Sequence, residues 1–70
     1  MQIPETTVIE LEFDVDWATI WLNRPDARNA MSDELVSELQ AALDYVASRS
    51  DIRGLTVRGR GDVFCAGGDL

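Results

Sequence analysis

The sequence contains no histidine, no lysine and a single cysteine, Cys65. One cysteine cannot form an intramolecular disulfide, and without histidine none of the usual zinc-binding patterns can be assembled. We therefore predict no metal site. Cys65 also lacks a histidine that could activate it as a nucleophile, so we expect it to be a small, buried apolar side chain. A chain of 70 residues buries only about 60% of the surface of its unfolded form, so we expect it to need stabilisation from outside.

Basic charge is also scarce. Thirteen acidic residues outnumber six basic ones, which gives a formal net charge of −7 and a pI of about 4.2. Binding to nucleic acid or to an anionic membrane requires a basic face, so neither is expected as a partner. All six basic residues are arginine, and two pairs flank predicted loops, Arg24 with Arg28 and Arg58 with Arg60. Such pairs can approach a polyanionic small molecule, although scattered arginines are more often ordinary surface ion pairs.

Long apolar segments are missing as well. The amino terminus has no basic stretch followed by an apolar one, and no apolar run approaches the roughly 20 residues that a membrane span requires. The sequence therefore predicts no signal peptide and no membrane span. A cytoplasmic location follows as the expectation, and the single thiol is compatible with a reducing compartment.

Two β-strands are predicted near the amino terminus. Residues 8–16 alternate apolar and acidic side chains, which indicates a half-buried strand with its apolar residues, through Val15, on one face. Residues 17–22 are apolar and β-branched, which favours a second strand that pairs antiparallel with the first through a turn near residues 14–16. Because no glycine marks that turn, a single long bent strand is the alternative. Trp17 and Trp21 share one face of the second strand, where we expect packing rather than ligand stacking.

A loop and a helix follow. Pro25 disfavours regular structure around itself and predicts a loop over residues 23–31. Ser32 is typical of a helix N-cap, and the two acidic residues after it suit the positive end of the helix dipole. The helix is predicted to run to about Ser48. Its apolar stripe is predicted from side chains at helical spacing, namely Leu35, Leu39, Ala42, Leu43 and Val46.

A third strand is predicted over residues 52–57, with Ile52, Leu55 and Val57 as its buried candidates. A glycine-rich loop is predicted to follow at residues 58–62. The order strand, helix, strand favours a parallel, right-handed crossover. The predicted fold class is therefore α/β, with the order strand–strand–helix–strand.

The adjacent glycines Gly67 and Gly68 are the most informative local feature. Without Cβ atoms the backbone can approach a ligand closely, as an oxyanion site built from main-chain N–H groups requires. A tight turn would explain two glycines equally well, and composition alone favours the turn.

Three motifs in a fixed order change that balance. They are LNRP at residues 22–25, RNAM at residues 28–31 and FCAGGDL at residues 64–70. In this order, separated by a helix and a strand, they resemble the amino-terminal part of the enoyl-CoA hydratase/isomerase (crotonase) superfamily, in which LNRP, RNA followed by Leu or Met, and F-x-A-G-x-D recur. The resemblance extends over residues 8–70. It implies that residues 1–70 form a single partial domain, the amino-terminal portion of a spiral fold of the ClpP/crotonase type.

The resemblance also implies roles for individual residues. Gly68 matches the position whose backbone N–H donates a hydrogen bond to the thioester carbonyl oxygen. Arg28 and Ala30 match the loop that lines the coenzyme A groove, where a basic side chain can approach the phosphates. The wall around the acyl thioester and adenine is matched by Ala66, Gly67, Asp69 and Leu70. No proton-transfer role is implied for Asp69.

The implied activity is that of an enoyl-CoA hydratase or isomerase, which acts on a fatty acyl-CoA thioester through an oxyanion-stabilised enolate. No permanently bound cofactor is implied, because coenzyme A is part of the substrate, and the family forms trimers or hexamers. The second oxyanion donor and the acid–base glutamates of the family match no position in residues 1–70. Two alternatives stay open: a non-catalytic remnant or docking fragment, and a small phosphate-binding domain that uses residues 58–61.

Overall fold

The computed structural model describes residues 2–62, 64 and 65. The elements in chain order are β1 (Ile9–Asp14), β2 (Trp17–Leu22), a short 3-10 helix (Pro25–Ala27), α1 (Asp33–Ser48) and β3 (Gly54–Gly59). The three strands form one sheet in the order β1-β2-β3, in which β1 is antiparallel to β2 and β3 is parallel to it. The predicted α/β arrangement and the parallel pairing after the helix are confirmed.

A two-residue turn joins β1 to β2, so the alternative of one long bent strand is wrong. Asp14 pairs with Trp17, which leaves Val15 and Asp16 as the turn. Val15 has a φ of 57° and is 93% exposed, so its predicted place on the buried face of β1 is also wrong. A β-branched residue at positive φ is strained by about 1–3 kcal/mol. The strand pairing on both sides of the turn therefore imposes a conformation that the local sequence disfavours.

The helix α1 has the predicted boundaries and the predicted cap. The Ser32 hydroxyl accepts a hydrogen bond from the Leu35 N–H at 3.1 Å. The buried face differs from the predicted stripe, because Tyr45 is buried whereas Leu43 is 36% exposed. The Tyr45 ring packs edge-on against Phe13 of β1 with 6.1 Å between ring centroids. The packed face of the helix is therefore turned toward β1, which leaves Leu43 on the opposite flank.

The core lies between α1 and one face of the sheet. Cys65 packs against this core as a small apolar side chain, but it is half-buried rather than buried as predicted. Removing such side chains from water supplies most of the free energy that holds the helix to the sheet. The buried residues of the cluster are Ile9, Ile20, Leu22, Leu35 and Ala42.

The strand β3 is displaced by two residues from its predicted position. It spans Gly54–Gly59 because it pairs residue by residue with β2 along that strand's whole length. Leu55 and Val57 pair with core residues of β2 and so lie on the core face of the sheet, yet each is 37% exposed. The reason is that α1 packs against β1 and β2. An apolar strip made of Leu43, Leu55 and Val57 is left uncovered by the described residues.

A carboxylate on α1 holds the start of β1. Glu38 accepts hydrogen bonds from the N–H and hydroxyl of Thr7, both at 2.8 Å, and from the N–H groups of Val8 and Ile9 at 2.9 and 3.3 Å. Burial raises the pKa of Glu38, but the hydrogen bonds outweigh burial, so that the pKa lies below its ordinary value of 4.5. Glu38 therefore stabilises the fold in its ionised form.

Replacing Glu38 with glutamine should lower the free energy of unfolding at pH 7 by about 1 kcal/mol, because charge-assisted hydrogen bonds are lost. A group whose pKa is depressed on folding contributes fully above its unfolded pKa and loses that contribution as the pH falls through the folded value. The difference between the two proteins should therefore shrink below pH 4.5. Urea unfolding at pH 7 and pH 3 measures it. Glu5→Gln, which changes an exposed carboxylate, is the control, and an equal loss there would contradict the assignment.

Candidate functional site

The loop over residues 23–31, here called the groove loop, closes on itself through backbone hydrogen bonds. The N–H groups of Ala27 and Asn29 both donate to the carbonyl of Arg24, at 3.0 and 2.7 Å. Arg28 and Asn29 then adopt left-handed conformations with φ of 55° and 57°. Two successive residues of this kind turn the chain sharply from the 3-10 helix toward α1. The groove loop is therefore a defined structure with its own hydrogen-bond pattern.

Asn29 links the groove loop to the end of β3. Its side chain is fully buried, and it is the one buried polar residue among those described. The Oδ1 atom accepts from the Arg24 N–H at 2.8 Å, and the Nδ2 atom donates to the carbonyl of Arg60 at 2.8 Å. Sequence analysis assigned no role to Asn29. Its place inside the RNAM motif was the available signal, but its partner Arg60 is 31 residues away along the chain.

The chain leaving β3, here called the exit segment (residues 59–62, 64 and 65), packs directly against the groove loop. A Cβ atom on Gly59 would lie 2.7 Å from the Phe64 carbonyl oxygen and 2.9 Å from Nδ2 of Asn29. Glycine at this position therefore allows the backbone of Phe64 to lie on the strand end. Gly61 has a φ of 82° and approaches Pro25 of the groove loop. Pro25 of the first motif thus lies beside Gly61 of the exit segment, and Phe64, the first residue of the third motif, lies over Gly59.

Arg28 and Ala30, the two residues expected to line a coenzyme A groove, differ in whether their polar groups already have hydrogen-bond partners. Arg28 is exposed, and its guanidinium makes no hydrogen bond or ion pair with the described residues. The Ala30 N–H donates to the Ala27 carbonyl at 3.1 Å, and the Ala30 carbonyl accepts from Nη1 of Arg24 at 2.8 Å. The Arg28 side chain is therefore available to an anion, whereas the main-chain groups of Ala30 already have partners within the loop.

The remaining predicted site residues follow the exit segment. Phe64 is exposed and Cys65 is half-buried, and the chain continues from them to the predicted oxyanion donor Gly68. This donor lies outside the described residues. So do the four residues predicted to form the wall of the substrate site, namely Ala66, Gly67, Asp69 and Leu70.

Arg58 and Arg60, the arginines of the phosphate-binding alternative, do not lie in one loop. Arg58 is part of β3, so the predicted loop over residues 58–62 begins two residues too early. Both guanidinium groups stack on the ring of Trp21, with Cζ atoms 4.7 and 3.8 Å from its centroid, and Arg60 pairs with Glu10 at 2.9 Å. These arginines lie on the face of the sheet opposite the core, where both guanidinium groups have partners within the sheet.

The two tryptophans lie on the same outer face, as predicted for packing residues. The indole N–H of Trp17 donates to the Thr56 hydroxyl at 2.8 Å, and that of Trp21 donates to Glu12 at 2.9 Å. Each ring is thus held by a partner on a neighbouring strand. Both indole donors are satisfied within the sheet, which leaves the expectation of packing in place.

Residues 2–62, 64 and 65 contain neither a metal-binding cluster, nor a membrane-spanning helix, nor an enclosed pocket. No group of three histidine, cysteine, aspartate or glutamate side chains among them is placed to hold a metal ion. None of their helices combines the length and apolarity that crossing a membrane demands. These residues also form no enclosed pocket. The candidate site is therefore the open surface where the groove loop meets the exit segment.

Similar proteins were found by sequence and by structure. A family model described as enoyl-CoA hydratase/isomerase matches residues 17–70. A probable enoyl-CoA hydratase of Mycobacterium tuberculosis is 42% identical over 60 residues, which cover 86% of this chain and 23% of that protein. A protein of Bacillus subtilis that carries the name enoyl-CoA hydratase/isomerase is 44% identical over 54 residues, which cover 76% of this chain and 21% of that protein.

The structural match is equally close. The crystal structure of an enoyl-CoA hydratase/isomerase from Mycobacterium paratuberculosis superimposes with a TM-score of 0.91 at 41% identity, covering 94% of this chain and 26% of that one. The chain thus spans about a quarter of the length of these relatives. The described strand–strand–helix–strand unit has the crotonase fold of its structural neighbours. On the match of the family model over residues 17–70, the chain belongs to the enoyl-CoA hydratase/isomerase family.

Proposed function

We propose that this chain is the amino-terminal section of an acyl-CoA enzyme, most specifically an enoyl-CoA hydratase or isomerase that acts on a fatty acyl-CoA thioester. The observation that carries the proposal is the contact between the groove loop and the exit segment through Asn29 and Arg60. One of these segments matches the coenzyme A groove of the family, and the other leads to the oxyanion motif. A single thioester could therefore contact both.

In the proposed mechanism Gly68 supplies one of two main-chain N–H donors to the thioester carbonyl oxygen. Addition of water at the β carbon, or removal of a proton at the α carbon, places negative charge on that oxygen. A preorganised donor stabilises such charge by about 3–4 kcal/mol. The second donor and the general acid and base would come from segments of the enzyme that residues 1–70 do not match.

Binding of the substrate is assigned to the groove loop and to the residues around Gly68. The guanidinium of Arg28, which has no hydrogen-bond or ion-pair partner among the described residues, is proposed to contact the phosphates of coenzyme A, since arginine forms strong charge-assisted hydrogen bonds with phosphate. Ala30 would contribute through the shape of its loop. The acyl thioester and adenine would lie against Ala66, Gly67, Asp69 and Leu70. No cofactor other than the coenzyme A of the substrate is needed.

Assembly and location belong to the same proposal. In the proposed enzyme residues 1–70 are part of one domain, the later segments cover the apolar strip, and the subunits form a trimer or hexamer in the cytoplasm. The uncovered strip also supports a second candidate, a non-catalytic fragment that acts by docking with a complementary segment. This second candidate is supported by the exposure of Leu43, Leu55 and Val57, whereas the core residues are buried. The two candidates differ in whether a thioester is bound and turned over.

The purified 70-residue chain should bind crotonyl-CoA and coenzyme A in preference to ATP, and it should not hydrate crotonyl-CoA. Hydration requires a positioned acid and base, which typically contribute factors of about 10²–10⁴ each, and none is assigned here. Calorimetry with the three ligands and a spectrophotometric hydration assay measure both expectations. Arg28→Gln should weaken binding of both coenzyme A compounds. Equal affinity for ATP would contradict the assignment of the coenzyme A groove, and hydration that disappears in Gly68→Pro would contradict the expectation that residues 1–70 are inactive alone.

A further inference from the structure

Asn29 combines three properties. An asparagine that only forms a surface turn, or one that only pairs a buried polar group, would not need all three. It is fully buried, its φ is 57°, and its one side-chain amide both accepts from Arg24 and donates to Arg60. A surface turn would need only the left-handed backbone, for which glycine is at least as suitable. A buried polar group must instead be satisfied by partners, because an unpaired one costs about 1–3 kcal/mol.

The two hydrogen bonds of the Asn29 side-chain amide reach different parts of the molecule. The Oδ1 bond to the Arg24 N–H lies within the groove loop, five residues away in the chain. The Nδ2 bond to the Arg60 carbonyl crosses to the exit segment. Since the amide is planar and rigid, the two partners are held at one fixed separation. The side chain is thus a short spacer between two segments that are otherwise far apart in sequence.

Other contacts also hold the exit segment in place beside the Asn29 amide. The absent Cβ of Gly59 would come within 2.9 Å of Nδ2, and Phe64 lies over the same glycine. The Arg60 N–H donates to the carbonyl of Leu22, just before the groove loop. The first residue after β3 is therefore bound through its N–H to the end of β2 and through its carbonyl to Asn29.

We infer that Asn29 is a positioning residue, which fixes the distance between the groove loop and the exit segment that leads toward the proposed oxyanion donor. The inference rests on the proposed function for the identity of the ligand. It assigns Asn29 no contact with substrate. Its effect on the reaction passes entirely through the placement of the exit segment.

The variant Asn29→Asp separates positioning from general stability. Aspartate tolerates the left-handed backbone and keeps the acceptor for Arg24, but it places an oxygen against the Arg60 carbonyl and so breaks the link to the exit segment. Asn23→Asp is the matched control. It makes the same chemical change in the same loop, and the Asn23 side chain has no hydrogen-bond partner among the described residues. Both variants are made in the chain of residues 1–70.

Nuclear magnetic resonance of the labelled chain gives the first readout. In Asn29→Asp the amide hydrogen of Arg60, which donates to the Leu22 carbonyl, should exchange about tenfold faster, as expected for the loss of one hydrogen bond that holds a local segment. Amide hydrogens in the middle of α1, such as that of Ala42, should keep their protection. Asn23→Asp should change neither. Loss of protection in parallel throughout the chain, or no change at Arg60, would overturn the inference.

Titration with crotonyl-CoA gives the second readout. In the unaltered chain the amide signals of Arg28 and Gly68 should shift together with a single dissociation constant. In Asn29→Asp the Arg28 signal should still respond while the Gly68 signal loses its response. Joint responses in Asn29→Asp would overturn the inference. If the unaltered chain does not bind crotonyl-CoA at all, the proposed function fails, whereas the exchange measurement still judges the positioning role.

A second variant covers the case in which Asn29→Asp does not fold. Asn29→Gly suits the left-handed backbone and removes the side-chain bonds to Arg24 and Arg60 without adding charge. The same exchange comparison between Arg60 and Ala42 applies to it. Selective loss at Arg60 supports the inference, and uniform loss or no loss overturns it.

Discussion

Replacing Gly59 with alanine should destabilise the chain by about 1–3 kcal/mol, the usual cost of forcing an extra group into a packed site. The added Cβ would lie 2.7 and 2.8 Å from the carbonyl oxygen and Cα of Phe64, and 2.9 Å from Nδ2 of Asn29. Two of these atoms belong to backbone, so the exit segment must move to relieve the contact. Because Cys65 follows Phe64 and packs against the core, its thiol should react faster with a disulfide reagent. Urea unfolding and thiol-labelling rates measure the two effects.

Gly54→Ala is the matched control, since it makes the same change at the other end of β3. The Cβ at Gly54 would meet the ring of Trp17, which is 47% exposed and can swing outward. The ring would lose its hydrogen bond to Thr56, but the exit segment would stay in place. Cys65 should therefore label at the original rate in Gly54→Ala. Equal labelling rates in the two variants would show that Gly59 does not control the exit segment.

The local sequence was sufficient for α1 and β2. Ser32 offers a cap and the following acidic residues suit the helix start, so both ends of α1 were predicted correctly. β2 was also predicted over its full length, Trp17–Leu22, because apolar and β-branched residues fill it. In both elements the signals of propensity and burial agree, which is the condition under which a sequence determines its structure without help from distant residues.

Elements whose limits depend on a partner were predicted less well. β3 begins and ends with glycine, which strand propensity disfavours, and its position is set by pairing with β2 from end to end. Val15 adopts a positive φ because the strands on both sides require a two-residue turn. Leu43 is exposed because Tyr45 takes the place beside Phe13. None of these partners can be identified from the residues nearby in sequence.

The candidate site likewise has parts that could be predicted from the sequence and parts that could not. The motifs located the groove loop and the exit segment, since each is a short run of residues with its own pattern. The link between them could not be predicted, because the amide of Asn29 acquires its role only when Arg60 arrives from 31 residues away. Gly59 is similar, since its small size matters only under Phe64. The oxyanion role of Gly68 is a proposal that rests on the resemblance and on the position of the exit segment.

The role proposed for Gly68 predicts a large kinetic effect. A proline at this position has no backbone N–H and so removes the donor, whereas alanine keeps it. Loss of one oxyanion donor lowers kcat by about 10²–10³ in enzymes where such donors have been removed. The effect can be measured in a chimera, in which residues 1–70 replace the matching quarter of the Mycobacterium paratuberculosis enoyl-CoA hydratase/isomerase. That relative without replacement provides the reference rate.

The most direct test of the oxyanion role of Gly68 compares two variants of this chimera. It measures the ratio of kcat for crotonyl-CoA hydration between Gly68→Ala and Gly68→Pro. Circular dichroism first establishes that both variants are folded. If the Gly68 N–H is an oxyanion donor, the chimera and Gly68→Ala hydrate crotonyl-CoA, and Gly68→Pro has a kcat that is lower by about 10²–10³ with little change in KM. Equal kcat values for Gly68→Ala and Gly68→Pro, or a folded chimera without activity, would contradict this role.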